Sequence, residues 1–242
     1  MLRTIHSIQG FAIHAKDGDI GHLKTLHFDD RTWKIRYLVV ELGKFWDAKE
    51  VLILPNEAHG VSCLEKHIEI ELTKKQVKEA QPYTSDLPVS IQQEIIDAKN
   101  FETLYLADPW SGVFLPMWFP DLSKEDQLLT EIGDIHLRSG EITDDFSVLD
   151  KAGRRVGKIK DFVIDDENWE IKYIIIDTNG IYPLGDVLVS NYHVTAFNTD
   201  NKELVIDLSK SQLERCPKYD AHAPINRESV DEYYDFEGRL VK

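Results

Sequence analysis

The chain is poor in the residues that staple small proteins together. Of 242 residues only two are cysteine, Cys63 and Cys216. They do not fall at matching places in the internal repeat described below, so they read as free thiols and not as a disulfide framework. No Cys-x-x-Cys or His-x-x-x-His spacing occurs, which removes the common signatures of a zinc site. Gly-x-Ser-x-Gly and the phosphate-cradling Gly-x-x-x-x-Gly-Lys are missing too. Long apolar runs are absent: the greasiest stretch, Gly112 to Phe119, is far short of the ~20 residues that a helix needs to cross a bilayer. The opening residues 1–7 lack the apolar segment of a secretory signal. These absences lead us to expect a cytoplasmic protein with no membrane span, no cofactor, no bound metal and no catalytic residue to name.

Positive charge is also scarce. There are 28 Lys and Arg against 43 Asp and Glu, a net charge of −15. The imbalance is uneven. Residues 1–82 carry 12 basic and 12 acidic side chains, residues 83–134 carry 2 and 10, residues 135–219 carry 11 and 15, and residues 220–242 carry 3 and 6. An acidic field of this kind repels phosphate backbones and anionic lipid, so nucleic acid is not an expected partner.

What the chain does have is a repeat of itself. Residues 21–41 return as residues 157–177, with Gly21, Lys24, Asp29, Asp30, Trp33, Ile35 and Tyr37 identical to Gly157, Lys160, Asp165, Asp166, Trp169, Ile171 and Tyr173. The offset of 136 persists downstream, where Glu50-Val-Leu-Ile53 matches Asp186-Val-Leu-Val189 and Leu72 to Val77 matches Leu208 to Leu213. Upstream, Leu2, Arg3 and Phe11 match Leu137, Arg138 and Phe146 at an offset of 135. A register this constant implies two copies of one unit. We divide the chain accordingly into a first copy (1–82), an acidic, aromatic-rich helical and irregular connector (83–134), a second copy (135–219) and a C-terminal tail (220–242).

Within each copy the pattern is that of strands. Trp33, Ile35, Tyr37 and Val39 alternate with Lys34, Arg36, Leu38 and Val40, half-polar at first and apolar on both faces at the end, which suits a small barrel or a strongly bent sheet. Asp29 to Thr32 and Asp165 to Asn168 sit where hairpin turns are needed. Thr73-x-x-Gln76 and Ser209-x-x-Gln212 are capping boxes. Ser90 and Asn226 are expected N-caps of further helices, with Ile91, Ile95 and Ala98 on one face after Ser90.

The set Asp17-Gly18-x-Ile20-Gly21, Phe28-Asp29-Asp30, Trp33 and Arg36 to Val40 resembles the PRC-barrel family. So does Lys151-Ala-Gly153-x-x-Val156-Gly157 with Ile164-Asp165-Asp166, Trp169 and Lys172 to Ile176. The family is a small β-barrel found in the cytoplasmic part of the photosynthetic reaction centre H subunit and in the C-terminal domain of the ribosome maturation factor RimM. The resemblance implies a mainly β protein, with two PRC-type small β-barrels in tandem, short helices and an irregular connector. It carries no catalytic residues across.

Three groups of residues are candidate sites. The paired aspartates could converge on a cation, but no third or fourth oxygen ligand comes at fixed spacing, and aspartate favours turns for its own reasons. His14, His22 and His27 cluster in the first copy, yet their counterparts are Leu149, Lys158 and Val163. The third group is in the connector: Trp110, Phe114, Met117, Trp118 and Phe119. Aromatics and Met are enriched in interface cores, so these five are the expected contact with a protein partner or a second copy, a homodimer included, unless they cover the seam between the barrels. Residues 101–120 are expected to be ordered, since this composition can bury apolar area. A non-enzymatic interaction or scaffold module is the leading expectation. The alternatives are a small-ligand binder or enzyme with its site between the barrels, and an accessory of a membrane or photosynthetic complex by analogy with the H subunit.

Overall fold

The computed structural model describes residues 1–43, 49–85, 88, 136–141, 146–179, 181, 184–199, 201–235 and 238–241. Strand β1 (Leu2–Thr4) and helix α1 (Ile5–Ile8) open the chain. Six strands follow: β2 (Ala12–Ala15), β3 (Gly18–Asp29), β4 (Ile35–Leu42), β5 (Lys49–Ile53), β6 (Ala58–Ser62) and β7 (His67–Ile70). Helix α2 (Lys74–Lys78) ends this half. The second half runs β8 (Leu137–Ser139), β9 (Ser147–Leu149), β10 (Arg155–Asp165), β11 (Glu170–Asp177), β12 (Asp186–Ser190), β13 (Val194–Asn198), β14 (Glu203–Ile206), α3 (Lys210–Leu213) and α4 (Arg227–Asp231).

The strands build two seven-stranded sheets with one topology. The first has the order β5-β4-β3-β2-β7-β6 and the second β12-β11-β10-β9-β14-β13. Neighbours are antiparallel except for β2 with β7 and β9 with β14. The long strands β3 and β10 bend at register shifts, between Leu23 and Thr25 in one and Ile159 and Asp161 in the other. A Cβ on Gly21 would stand 2.3 Å from the Glu41 carbonyl oxygen, and one on Gly157 2.5 Å from that of Asp177. At these two positions only glycine lets the neighbouring strand close in.

Each sheet is an open path among the described residues, where a closed small barrel was expected. The end strands β5 and β6, and likewise β12 and β13, follow each other in sequence but do not pair. The 3-10 turns Pro55–Glu57 and Asn191–His193 separate them. Pro55, which has no N–H to offer, sits at the start of the first. A second expectation needs correction. Trp33 and Trp169 are not strand residues: β4 starts at Ile35, and both tryptophans have left-handed backbone, φ +58° and +50°. Trp33 N–H donates to the Asp29 carbonyl at 2.8 Å, so the residue closes the turn before the strand begins.

The two sheets interlock. By sequence β1 belongs to the first copy and β8 to the second, but each pairs in the other half. Leu2, Arg3 and Thr4 lie opposite Asp165, Ile164 and Val163, and Leu137, Arg138 and Ser139 lie opposite Asp29, Phe28 and His27. Between these strands the turns meet. Lys34 bridges Glu170, Ile35 N–H donates to the Trp169 carbonyl at 2.8 Å, and Ile171 N–H donates to the Trp33 carbonyl at 2.7 Å. These contacts exchange into one another under the 136-residue offset of the repeat, with Lys34 and Glu170 paired at their centre.

One apolar core spans both sheets, with Phe28, Trp33, Leu38 and Val40 in contact with a set that includes Phe162, Ile164, Trp169 and Ile174. Phe28 stacks on Trp33 and tilts against Phe162, with ring centroids 5.7 and 5.1 Å apart. Aromatic contacts of this kind add about 1 kcal/mol each beyond their buried area. A second cluster covers the outer face of β10 to β12, where Val163, Tyr173, Ile175 and Leu188 meet Leu2 and the tail residues Val230 and Tyr234. Asn226 caps α4 as expected, accepting from Glu228 N–H at 3.0 Å. Both capping boxes form: Thr73 and Ser209 N–H each donate to the glutamine three residues on, at 2.9 Å. Ser90, Ile91, Ile95 and Ala98 lie outside the described residues.

Candidate interaction site at the exchanged strands

The paired aspartates have divided roles. The first of each pair holds its own turn. Asp29 Oδ1 accepts from Arg31 and Thr32 N–H at 3.0 and 2.9 Å. Asp165 accepts from Glu167 N–H at 3.4 Å and Asn168 Nδ2 at 3.1 Å. Burial pulls both carboxyls up, but these hydrogen bonds outweigh it and hold them below the ordinary aspartate value. The second aspartate of each pair receives an arginine from the exchanged strand. Arg138 meets Asp30 at 2.5 Å, and Arg3 Nε pairs with Asp166. The first of these pairs is nearly dry, with side chains 9% and 7% exposed. His136 Nδ1 adds a second contact to Asp30 at 2.9 Å.

Helix α1 is fastened by a third acid. Asp161 on β10 faces His6, whose ring Nδ1 and backbone N lie 3.0 and 3.3 Å from its Oδ2, while Phe162 N–H donates to its Oδ1 at 2.7 Å. Burial raises the Asp161 pKa above the ordinary value. A groove of about 390 Å³ opens beside it, lined by Thr4, His6, Lys160 and Tyr219.

A larger cleft of about 690 Å³ lies on the outer side of the second sheet, lined among others by Leu2, Lys172, Tyr173, Arg227 and Tyr234. Four of its charges are engaged in pairs. Arg227 Nη2 donates to Asp165 Oδ2 at 2.6 Å, and Lys172 meets Glu170 at 2.9 Å. Burial, then the nearby Asp231, pushes the Tyr173 hydroxyl up to about 12, and burial raises Tyr234 as well. The Tyr234 hydroxyl donates to the Leu188 carbonyl at 2.7 Å. Both phenols are therefore neutral across the physiological range.

The five connector residues Trp110, Phe114, Met117, Trp118 and Phe119 lie outside the described residues, as do residues 101–120 as a whole. The three candidate histidines His14, His22 and His27 are dispersed. His14 Nδ1 contacts Asp19 at 2.7 Å, His22 is exposed, and His27 is fully buried. Among the described residues no group of three or more His, Cys, Asp or Glu side chains could hold a metal ion, and no helix is long and apolar enough to cross a membrane. Cys63 is exposed and Cys216 buried, both as free thiols. The arginine clamps were missed in the sequence, although the signal was there: Leu-Arg recurs at 2–3 and 137–138 just as Asp-Asp recurs at 29–30 and 165–166. A search of curated proteins finds no match to the chain. Residues 144–213, which run from the approach to β9 through α3, match the model of the PRC-barrel domain.

Proposed function

We propose that the protein is a non-enzymatic interaction or scaffold module of the cytoplasm, built from two PRC-type small β-barrels in tandem. The observation that carries this reading is the state of the charged groups around the exchanged strands. Asp30, Asp165, Asp166 and Glu170 each have a cationic partner within the chain. A reaction centre instead needs acids and bases held ready for a substrate. The family match over 144–213 and the identical strand order of the first sheet support the tandem assignment. The contact for a protein partner, or for a second copy, is assigned to Trp110, Phe114, Met117, Trp118 and Phe119, on composition.

The test is Trp110→Ala with Trp118→Ala in the full chain, read by mass in solution and by capture from native lysate. Loss of a captured protein, or a fall in mass, at unchanged melting temperature is the expected result. A wild-type chain that is monomeric and captures nothing sinks the proposal.

A further inference from the structure

We infer that the chain is a covalently joined dimer, in which each half is the docking partner of the other and the seam itself supplies the recognition. The argument rests on reciprocity. In a two-fold interface, residue i of one subunit meets residue j of the other, and j meets i. The strand ladders, the arginine pairs and the turn hydrogen bonds across the seam obey this rule, whereas His6 on Asp161 has no mirror image, its equivalents being Glu141 and Thr25. The ladder of β1 on β10 is matched by that of β8 on β3, with the same partners displaced along the repeat. Arg3 on Asp166 is matched by Arg138 on Asp30. The Ile35–Trp169 hydrogen bond is matched by Ile171–Trp33.

The surface so formed has the composition of a subunit interface. Its centre is aromatic and dry, with Phe28, Trp33, Phe162 and Trp169 all buried. Its edges are main-chain ladders and ion pairs. Neither half is self-sufficient, because the strand that completes each sheet comes from the other. The partner this surface fits is therefore a second copy of the repeat, supplied here by the same chain. A covalent link between two such partners acts by raising their effective concentration. The exchanged strands and the aromatic seam supply the recognition.

The experiment uses the full chain with a protease site inserted between Ser123 and Lys124, and in a second version between Asn100 and Phe101. After cleavage the two fragments are expected to co-migrate at the mass of the uncut protein. In urea, the midpoint of the cut protein should rise when its concentration is raised about a hundredfold, and by more than that of the uncut protein, because unfolding has become dissociation. Fragments that separate on the column overturn the inference. So does a midpoint whose response to concentration matches the uncut chain, since each half would then be folding alone. An insertion tolerated at neither position also overturns it, because the connector would not be dispensable.

Discussion

His27 is the least comfortable side chain in the first sheet. It has no exposed surface, and among the described residues neither ring nitrogen has a hydrogen-bond partner; Thr25 Oγ1, two residues back on β3, is in the same state. The Tyr83 ring stands edge-on 5.4 Å away. Burial, with help from the charge of Lys24, lowers the His27 pKa from 6.5 to about 3. The ring is thus neutral in the folded protein down to about pH 3, whereas in the unfolded chain it takes a proton near pH 6.5. Between those values the unfolded chain binds more protons, so stability falls as the pH falls. At 1.36 kcal/mol per pK unit, the loss between pH 7.5 and pH 5 is about 2 kcal/mol.

The counterpart of His27 in the other sheet is Val163, buried in the same register position. His27→Val removes both the titration and the unsatisfied ring. Relief of one buried, unpaired polar group is worth about 1 kcal/mol at neutral pH. The variant should therefore exceed wild type by about 1 kcal/mol at pH 7.5 and about 3 kcal/mol at pH 5. Urea unfolding of both proteins across this range is the assay, and their difference cancels the contribution of every other titrating group. Curves that stay parallel from pH 7.5 to pH 5 refute the reasoning, as does a variant less stable than wild type at both ends.

Other substitutions probe the seam and the backbone. Arg138→Ala leaves the nearly buried Asp30 carboxylate with His136 as its remaining partner among the described residues, and should cost about 3 kcal/mol in a thermal or urea melt; a cost below about 1 kcal/mol would show that the clamp is ornamental. Gly157→Ala drives a Cβ against the Asp177 carbonyl and should lose about 2 kcal/mol or more, whereas Gly60→Ala, whose Cβ would meet nothing nearer than 3.8 Å, should lose under about 1 kcal/mol. Lys66 and Lys202 both hold φ of +52° in the matching turns of the two halves, so Lys66→Gly should raise stability by about 0.5–1 kcal/mol, read as an increase in Tm.

The repeat made the correspondence between the halves legible before any coordinates. Gly21 with Gly157, the two aspartate turns and the two capping boxes all sit at matched places, because each rests on local chemistry: a missing Cβ, an acceptor for a turn amide, an orphan donor at a helix start. The exchange of β1 and β8 was not legible. A repeated sequence tells which segments are equivalent, but Leu2-Arg3 and Leu137-Arg138 are so alike that either fits either sheet. Periodicity carries no record of which pairing is taken. The left-handed turns at Trp33 and Trp169 were hidden for another reason. A bulky aromatic at positive φ runs against local preference, and it is held there by the hydrogen bonds across the seam. His27 carried a usable hint, since its equivalent is valine, a residue of sheet interiors.

The exchanged strands also set a timetable for synthesis. When the first 135 residues have left the ribosome, strands β2 to β7 exist, but the strand that completes their sheet, β8, does not. Strand β1 waits longer still, for β10, with Leu2 separated from its partner Asp165 by 163 residues. Domains usually mature in the order they are made. Here the N-terminal half cannot finish before the C-terminal half is well advanced, and contacts this distant in sequence form slowly. For much of translation the nascent chain presents an incomplete apolar sheet with Phe28 and Leu137's future site at its margin. Such a chain depends on speed of completion, or on a chaperone's cover, more than its modest length would suggest.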